Sequence, residues 1–293
     1  DQVADSKPAV WWNLKYKNRW LSDGSVVSGN PIFTNFLWNE IGRGADLKAL
    51  EGWLDNNQPR IDEMTAAVFA NQAPRYTDFF PTSAIQIHKA IRGEKIFLVS
   101  CARCHGIYEK AWNLPSAPLL SPEERLATTR VRYHKKTPVV DVGTDPLRYL
   151  GMKALEDELN RLAISQKKGI LVRTQKGYVP PPLVGIWARW PYFHNNSAPS
   201  LCAVLTSGDA RPTHFDAGPA ETPWRDFDDE CNGYPLGDRA PAFWATDYPE
   251  ARYDSRKAGL GNRGHDEGIF LKNGIELLTA DQKVDLIEFL KTL

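Results

Sequence analysis

The chain has 293 residues, and several things are scarce in it. No apolar run approaches the length of a bilayer span, so no segment reads as a transmembrane helix. Acidic and basic residues balance at 36 each, which leaves no net charge to attract nucleic acid or an anionic membrane surface. The start at Asp1 lacks both methionine and a basic-then-apolar leader, the opening expected of a processed mature protein or of a trimmed chain. Methionine occurs twice and cysteine only four times, so any sulfur chemistry rests on few positions. At 33.0 kDa there is still enough chain for a sizeable core, as one large domain or two small ones.

Two of the cysteines are placed informatively. Cys101-Ala102-Arg103-Cys104-His105 has two thiols separated by two residues and followed at once by an imidazole. This is the attachment pattern of c-type haem: the thiols form thioethers with the vinyl groups, and the histidine takes one axial position on iron. The same spacing serves zinc sites and redox dithiols. A zinc site needs a second ligand pair, and Cys202 and Cys231 lie far apart; a thioredoxin-like dithiol is expected beside a βαβ pattern, and none is found. The motif occurs once, so one covalent haem c is expected. Because such attachment takes place outside the bacterial cytoplasm, the chain is expected to be periplasmic or otherwise exported. In that oxidising setting Cys202 and Cys231 are expected to pair, contributing roughly 3 kcal/mol by loop closure; the alternative is two buried thiols.

Around the motif the pattern is helical. Ile87, Ala90, Ile91, Phe97 and Leu98 recur at helical spacing, with Lys89, Arg92 and Lys95 largely off that stripe. Near the C-terminus, Thr279 with Gln282 forms a capping box ahead of Val284, Leu286, Ile287, Phe289, Leu290 and Leu293. A helix leading into the attachment cysteines and a C-terminal helix crossing it are the two halves of a class I cytochrome c core. Gly93 would permit the crossing, with Phe97 against Phe289 or Leu290.

Elsewhere, residues 1 to about 40 are rich in tryptophan, phenylalanine and turn formers and read as an irregular arm wrapped over a core. Helices are expected from Asp46 to about Ala73, broken at Asn56-Asn57-Gln58-Pro59, and over 147–164 with Leu150, Ala154, Leu155, Leu159 and Leu162 as its stripe. A short helix starts at Pro122. Pro180-Pro181-Pro182 opens a long loop region, to about residue 268, expected to cover the haem faces.

The segment Pro182-Leu183-Val184-Gly185-Ile186-Trp187-Ala188-Arg189-Trp190-Pro191-Tyr192-Phe193-His194-Asn195-Asn196-Ser197-Ala198-Pro199-Ser200-Leu201 resembles one in bacterial dihaem cytochrome c peroxidases and, more closely, in the rubber oxygenase family. Gly143-Thr144-Asp145-Pro146 and Gly261-Asn262-Arg263-Gly264-His265-Asp266-Glu267-Gly268 also look like that family, and the similarity runs from about Asp46 to the C-terminus. The family carries two haems, with the reactive one bound by a motif nearer the N-terminus. No such motif precedes Cys101. The resemblance therefore implies that Cys101–His105 corresponds to the second, electron-transferring haem.

His105 supplies one axial ligand, and the other decides the chemistry. Met152, His134, His194, His214 and His265 are the downstream candidates. The resemblance maps the family's ligand onto His265, beside Gly259, Gly261 and Gly264, which allow close approach to a porphyrin face. His194 is expected to hold a haem propionate or the loop, with Arg189 and Tyr192 as neighbouring donors.

The expected architecture is mainly α: a helical, aromatic-rich N-terminal extension (1–84) and a class I cytochrome c-like haem domain with long loop insertions (85–293). The expected function is single-electron transfer to or from a redox partner protein, through cofactor-binding residues Cys101, Cys104, His105, His265, Arg189, Tyr192 and His194, and with no catalytic side chain assigned. The alternative is a monohaem peroxidase or oxygenase with an open or openable distal position. The oligomeric state is left open.

Overall fold

A computed structural model describes residues 7, 8 and 10–293, so the start of the N-terminal arm lies outside the described residues. The chain is mainly α. In order, its helices are α1 (Pro31–Gly42), α2 (Leu47–Asn56), α3 (Gln58–Ala70), α4 (Ile87–Ser100), α5 (Ala102–His105), α6 (Pro122–Leu126), α7 (Leu147–Arg161), α8 (Ala163–Lys167), α9 (Leu201–Val204), α10 (Pro223–Asp226), α11 (Phe243–Asp247) and α12 (Ala280–Leu290). The described strands are short and form two-stranded antiparallel pairs, such as Ile107–Lys110 with Thr128–Arg132.

The crossing of α4 and α12 is the centre of the larger core. The Thr279 side chain caps α12 by accepting from Gln282 N, and Gln282 returns the bond, so the helix starts where the sequence places it. Gly93 faces Asp285, where a side-chain carbon would overlap the Asp285 carbonyl. That contact lets the helix axes approach and sets Phe97 against Phe289, with ring centres 5.2 Å apart. Phe97, Leu286, Ile287 and Phe289 are each buried, and full burial of such a side chain contributes about 2 kcal/mol. Arg92 clasps Asp285 through two hydrogen bonds of 2.7 and 2.6 Å at the edge of the crossing. The buried Glu94 carboxylate on α4 accepts from Trp112 Nε1 at 2.7 Å and Asn113 Nδ2 at 2.8 Å, so it is not left unsatisfied.

A second core gathers Leu37, Leu54 and Ile61 of α1–α3 with Leu14, and it also takes in Ile164 and Ile170. Here two expectations are corrected. Residues 31–42 are not irregular: Asn30 accepts from Ile32 N and Phe33 N, and Pro31 occupies the first helical position, so the Asn-Pro pair starts a helix rather than a turn. On α7 the stripe is rotated. Tyr149 and Met152 are buried, whereas Leu150 and Leu155 are about half exposed, at 51% and 49%.

The long region after Pro182 contains only short helices and the strand pair His214–Asp216 with Arg252–Asp254. A disulfide between Cys202 and Cys231 staples it, and Leu201 N donates to Cys231 O beside the bridge.

Candidate functional site

A cavity of about 270 Å³ opens between the α4–α12 crossing, the 178–194 segment and the loop carrying His265. Cys101, Cys104, His105, Arg189, Tyr192, His194 and His265 all line it. The sequence motif and the residues assigned beside it, separated by up to more than half the chain, are thus brought to one place. Among the other ligand candidates, Met152 is buried on α7 and does not line the cavity. His134 Nε2 meets Cys104 O at 3.0 Å, while His88 and His214 are exposed.

α4 continues almost directly into α5, so Cys101, Cys104 and His105 are presented from one helical segment. Both thiols are free, which suits thioether formation; burial and the neighbouring Cys104 push the Cys101 thiol up to about 12. His105 Nδ1 lies 2.8 Å from the Pro181 carbonyl, an acceptor, so Nδ1 carries the proton and Nε2 keeps its lone pair. The Pro181 segment is itself held. Tyr133 Oη donates to Pro180 O at 2.5 Å, Leu183 N donates to Tyr108 Oη, and Tyr108 Oη donates to His105 O.

His265 faces His105 across the cavity, their ring centres 6.2 Å apart. Two imidazoles bonded to opposite sides of one metal ion at about 2 Å, the usual metal–nitrogen distance, stand with ring centres about 6 Å apart. Burial, with the His105 and Arg211 charges adding, pulls His265 down to about 3, and burial pulls His105 down to about 4. Both imidazoles are therefore neutral, as ligands must be. His265 Nδ1 is buried without a hydrogen-bond partner among the described residues.

The His265 loop is built rather than loose. His265 has a left-handed backbone (φ 56°) and its N donates to Val142 O at 2.7 Å. Gly264 abuts Gly143 so closely that a side chain at Gly264 would overlap the Gly143 backbone, which explains glycine at 264; Gly143 itself has room for a methyl but a left-handed backbone (φ 74°) that favours glycine. Arg211, buried, donates to Ala203 O (2.8 Å), Val204 O (3.2 Å), Asn262 O (2.5 Å) and Gly264 O (2.7 Å), tying the loop to α9. Asn195 Nδ2 bonds Gly259 O and Gly261 O. Asp145 accepts from Gly261 N, and Asp266 accepts from Gly208 N. Arg211 carries this arrangement, yet the sequence holds no signal for it, being a single arginine in a turn-rich stretch.

Of the expected donors, Arg189 lines the cavity with Nε buried and without a partner among the described residues, and burial lowers it to about 10. The His194 ring stacks on Tyr178 at 3.7 Å, its Nε2 without a partner among the described residues, and burial lowers it to about 4. Tyr192 presents its ring to the cavity, while its hydroxyl is engaged by Asn232 Nδ2 at 2.6 Å.

Residues 177–216 match a family model described as RoxA-like, cytochrome c-like. Over these residues the chain is similar to RoxA-like, cytochrome c-like proteins. The matched stretch encloses Pro182–Leu201, the run on which the resemblance rests, and a cytochrome c-like domain implies binding of haem c. The residues fit that group: two free thiols, a proximal imidazole with its Nδ1 satisfied, and a second imidazole at the matching separation. Two proteins of Sinorhizobium fredii (strain NBRC 101917 / NGR234) are also similar. One, "Uncharacterized protein y4iM", is 27% identical over 97% of this chain and 63% of its own length. The other, "Uncharacterized protein y4iJ", is 32% identical over 42% of this chain and 19% of its own. The chain thus spans less than two thirds of these relatives.

Proposed function

We propose that the chain is an exported, periplasmic electron-transfer cytochrome carrying one haem c, attached through Cys101 and Cys104 and ligated by His105 and His265. The observation that carries this reading is the 6.2 Å separation of the two imidazole rings across one cavity. The haem would supply a one-electron iron couple, and His105 and His265 would hold it as strong ligands that favour a carrier. The chain's own work is positional. Pro181 O fixes the tautomer and plane of His105, the Val142, Gly143 and Arg211 contacts hold His265 at the matching distance, and the apolar wall of Phe97, Leu286 and Leu290 excludes water.

The test is spectroscopic. Protein made with periplasmic haem attachment is expected to give a covalent haemochrome with one haem per chain, low-spin bands in both redox states and no change on adding carbon monoxide to the reduced form. Carbon monoxide binding, or a high-spin ferric band with rapid peroxide reaction, would overturn the carrier reading in favour of a monohaem peroxidase or oxygenase. Replacing both Cys101 and Cys104 by serine is expected to abolish covalent haem.

A further inference from the structure

Lys17 comes from the N-terminal arm and Arg189 from the segment after Pro182, and both line the cavity that holds His105 and His265. Neither forms an ion pair with any described carboxylate, and the Lys17 amine has no hydrogen-bond partner among the described residues. Among the described residues Arg189 has one long side-chain contact, NH1 to Pro182 O at 3.5 Å, while its Nε is buried without an acceptor. Lys7, on the same wall, is occupied differently, donating to the Arg189 and Pro191 carbonyls and so holding the Arg189 backbone in place.

Two unpaired cations side by side in an apolar cavity are unfavourable: desolvation is several kcal/mol per ion, and like charges add to it. Burial, with the Arg189 charge adding to it, brings Lys17 down to about 8. Such a pair is stable only if anions come to it, and an acid of the chain does not. The molecule expected in this cavity brings two carboxylates, the haem propionates. A guanidinium and an ammonium match two carboxylates in number and sign.

We propose that Lys17 and Arg189 are the propionate clamp of the cavity, so that the N-terminal arm takes part in holding the cofactor. This rests on the haem reading given above. Lys17 and Arg189 are positioning residues. By pairing with the propionates they keep positive charge beside the porphyrin and favour the reduced iron.

The test uses haem-loaded protein with Lys17→Met, Lys17→Arg and Arg189→Gln. Lys17→Met is expected to retain covalent haem and low-spin bands but to lower the midpoint potential and shift the propionate-bending band in resonance Raman spectra, without any added anion. Lys17→Arg is expected to restore both. A loaded Lys17→Met protein with potential and band unchanged overturns the proposal. So does a shift that appears only when a small carboxylate is added or withdrawn, which would mark the pair as a site for a diffusible anion. Should Lys17→Met fail to load, Arg189→Gln decides on the same two readouts. If the unsubstituted protein takes up no haem, the haem reading fails, a result visible before any variant is compared.

Discussion

Gly93 of α4 lies directly against the main-chain carbonyl of Asp285 in α12, with no room for a side chain between them. In an isolated helix Gly93→Ala would stabilise by about 1 kcal/mol. Here the methyl meets backbone, which cannot rotate away, and overpacking of this kind destabilises by about 3 kcal/mol. Packing wins, so Gly93→Ala is expected to lower the urea midpoint of unfolding. A raised midpoint would show that the helices do not cross at this point.

His265→Ala removes the second imidazole while leaving the thiols and His105 untouched. The haem-loaded variant is expected to keep its covalent haem and turn high-spin. An unchanged spectrum would return the second ligand to His194, which also lines the cavity and whose Nε2 has no partner among the described residues.

Arg211→Met leaves four carbonyls, two of them in buried hydrogen bonds, without this donor. Hydrogen bonds from a charged group contribute about 2 kcal/mol each, and loss of the set is expected to destabilise by at least about 3 kcal/mol. Because the planar fork is what reaches α9 and the 262–264 loop together, Arg211→Lys is expected to recover little. Chemical denaturation reads the first effect. The amplitude of the low-spin band reads the second, because His265 hangs from this loop.

Cys202 and Cys231 close a loop with a sequence separation of 29 residues. Replacing both with alanine is expected to cost roughly 3 kcal/mol in unfolding free energy through the unfolded chain. The spectrum of the loaded protein should not move, because neither sulfur lines the cavity.

Lys110 is 1% exposed and hydrogen-bonded to Thr128 Oγ1 and Thr292 O, and burial lowers it from 10.5 to about 7. Below about 7 it is charged in both the folded and unfolded states, and the burial penalty is full. Between about 7 and 10.5 the unfolded chain binds more protons, so stability rises with pH across that window. Stability curves of the unsubstituted protein and Lys110→Met are expected to converge or cross as pH rises from 7 to 10. Parallel curves would show that Lys110 titrates normally.

The parts of the fold that were legible in the sequence are those where one physical rule dominates. The Cys101–His105 spacing, the Thr279–Gln282 box and the Asn56–Pro59 break each depend on neighbouring residues. Phe97 could be set against Phe289 or Leu290 because the two helices have strong apolar faces. By contrast, the leucines expected along α7 did not choose its buried face: Leu150 and Leu155 are half exposed while Tyr149 and Met152 are buried, and only tertiary packing decides between faces of similar hydrophobicity. The helix after Asn30 was hidden because Asn-Pro suits a turn equally well. Arg211 and Lys17 carry no periodicity or motif, and their roles come from segments far away in the chain. The resemblance around Pro182–Leu201 and Gly261–Gly268 brought His265 forward where spacing alone could not.

The facing pair His105 and His265 is separated by more than half the chain, and α12, which backs the cavity, is made later still. During N-to-C synthesis the thiols and first imidazole emerge on a local helical unit, while the opposite wall does not yet exist. Long-range contacts also form more slowly than helices. A bulky flat group can therefore be joined at Cys101 and Cys104 while that side is open, and the remaining chain then closes over it, with no opening motion demanded of the finished protein.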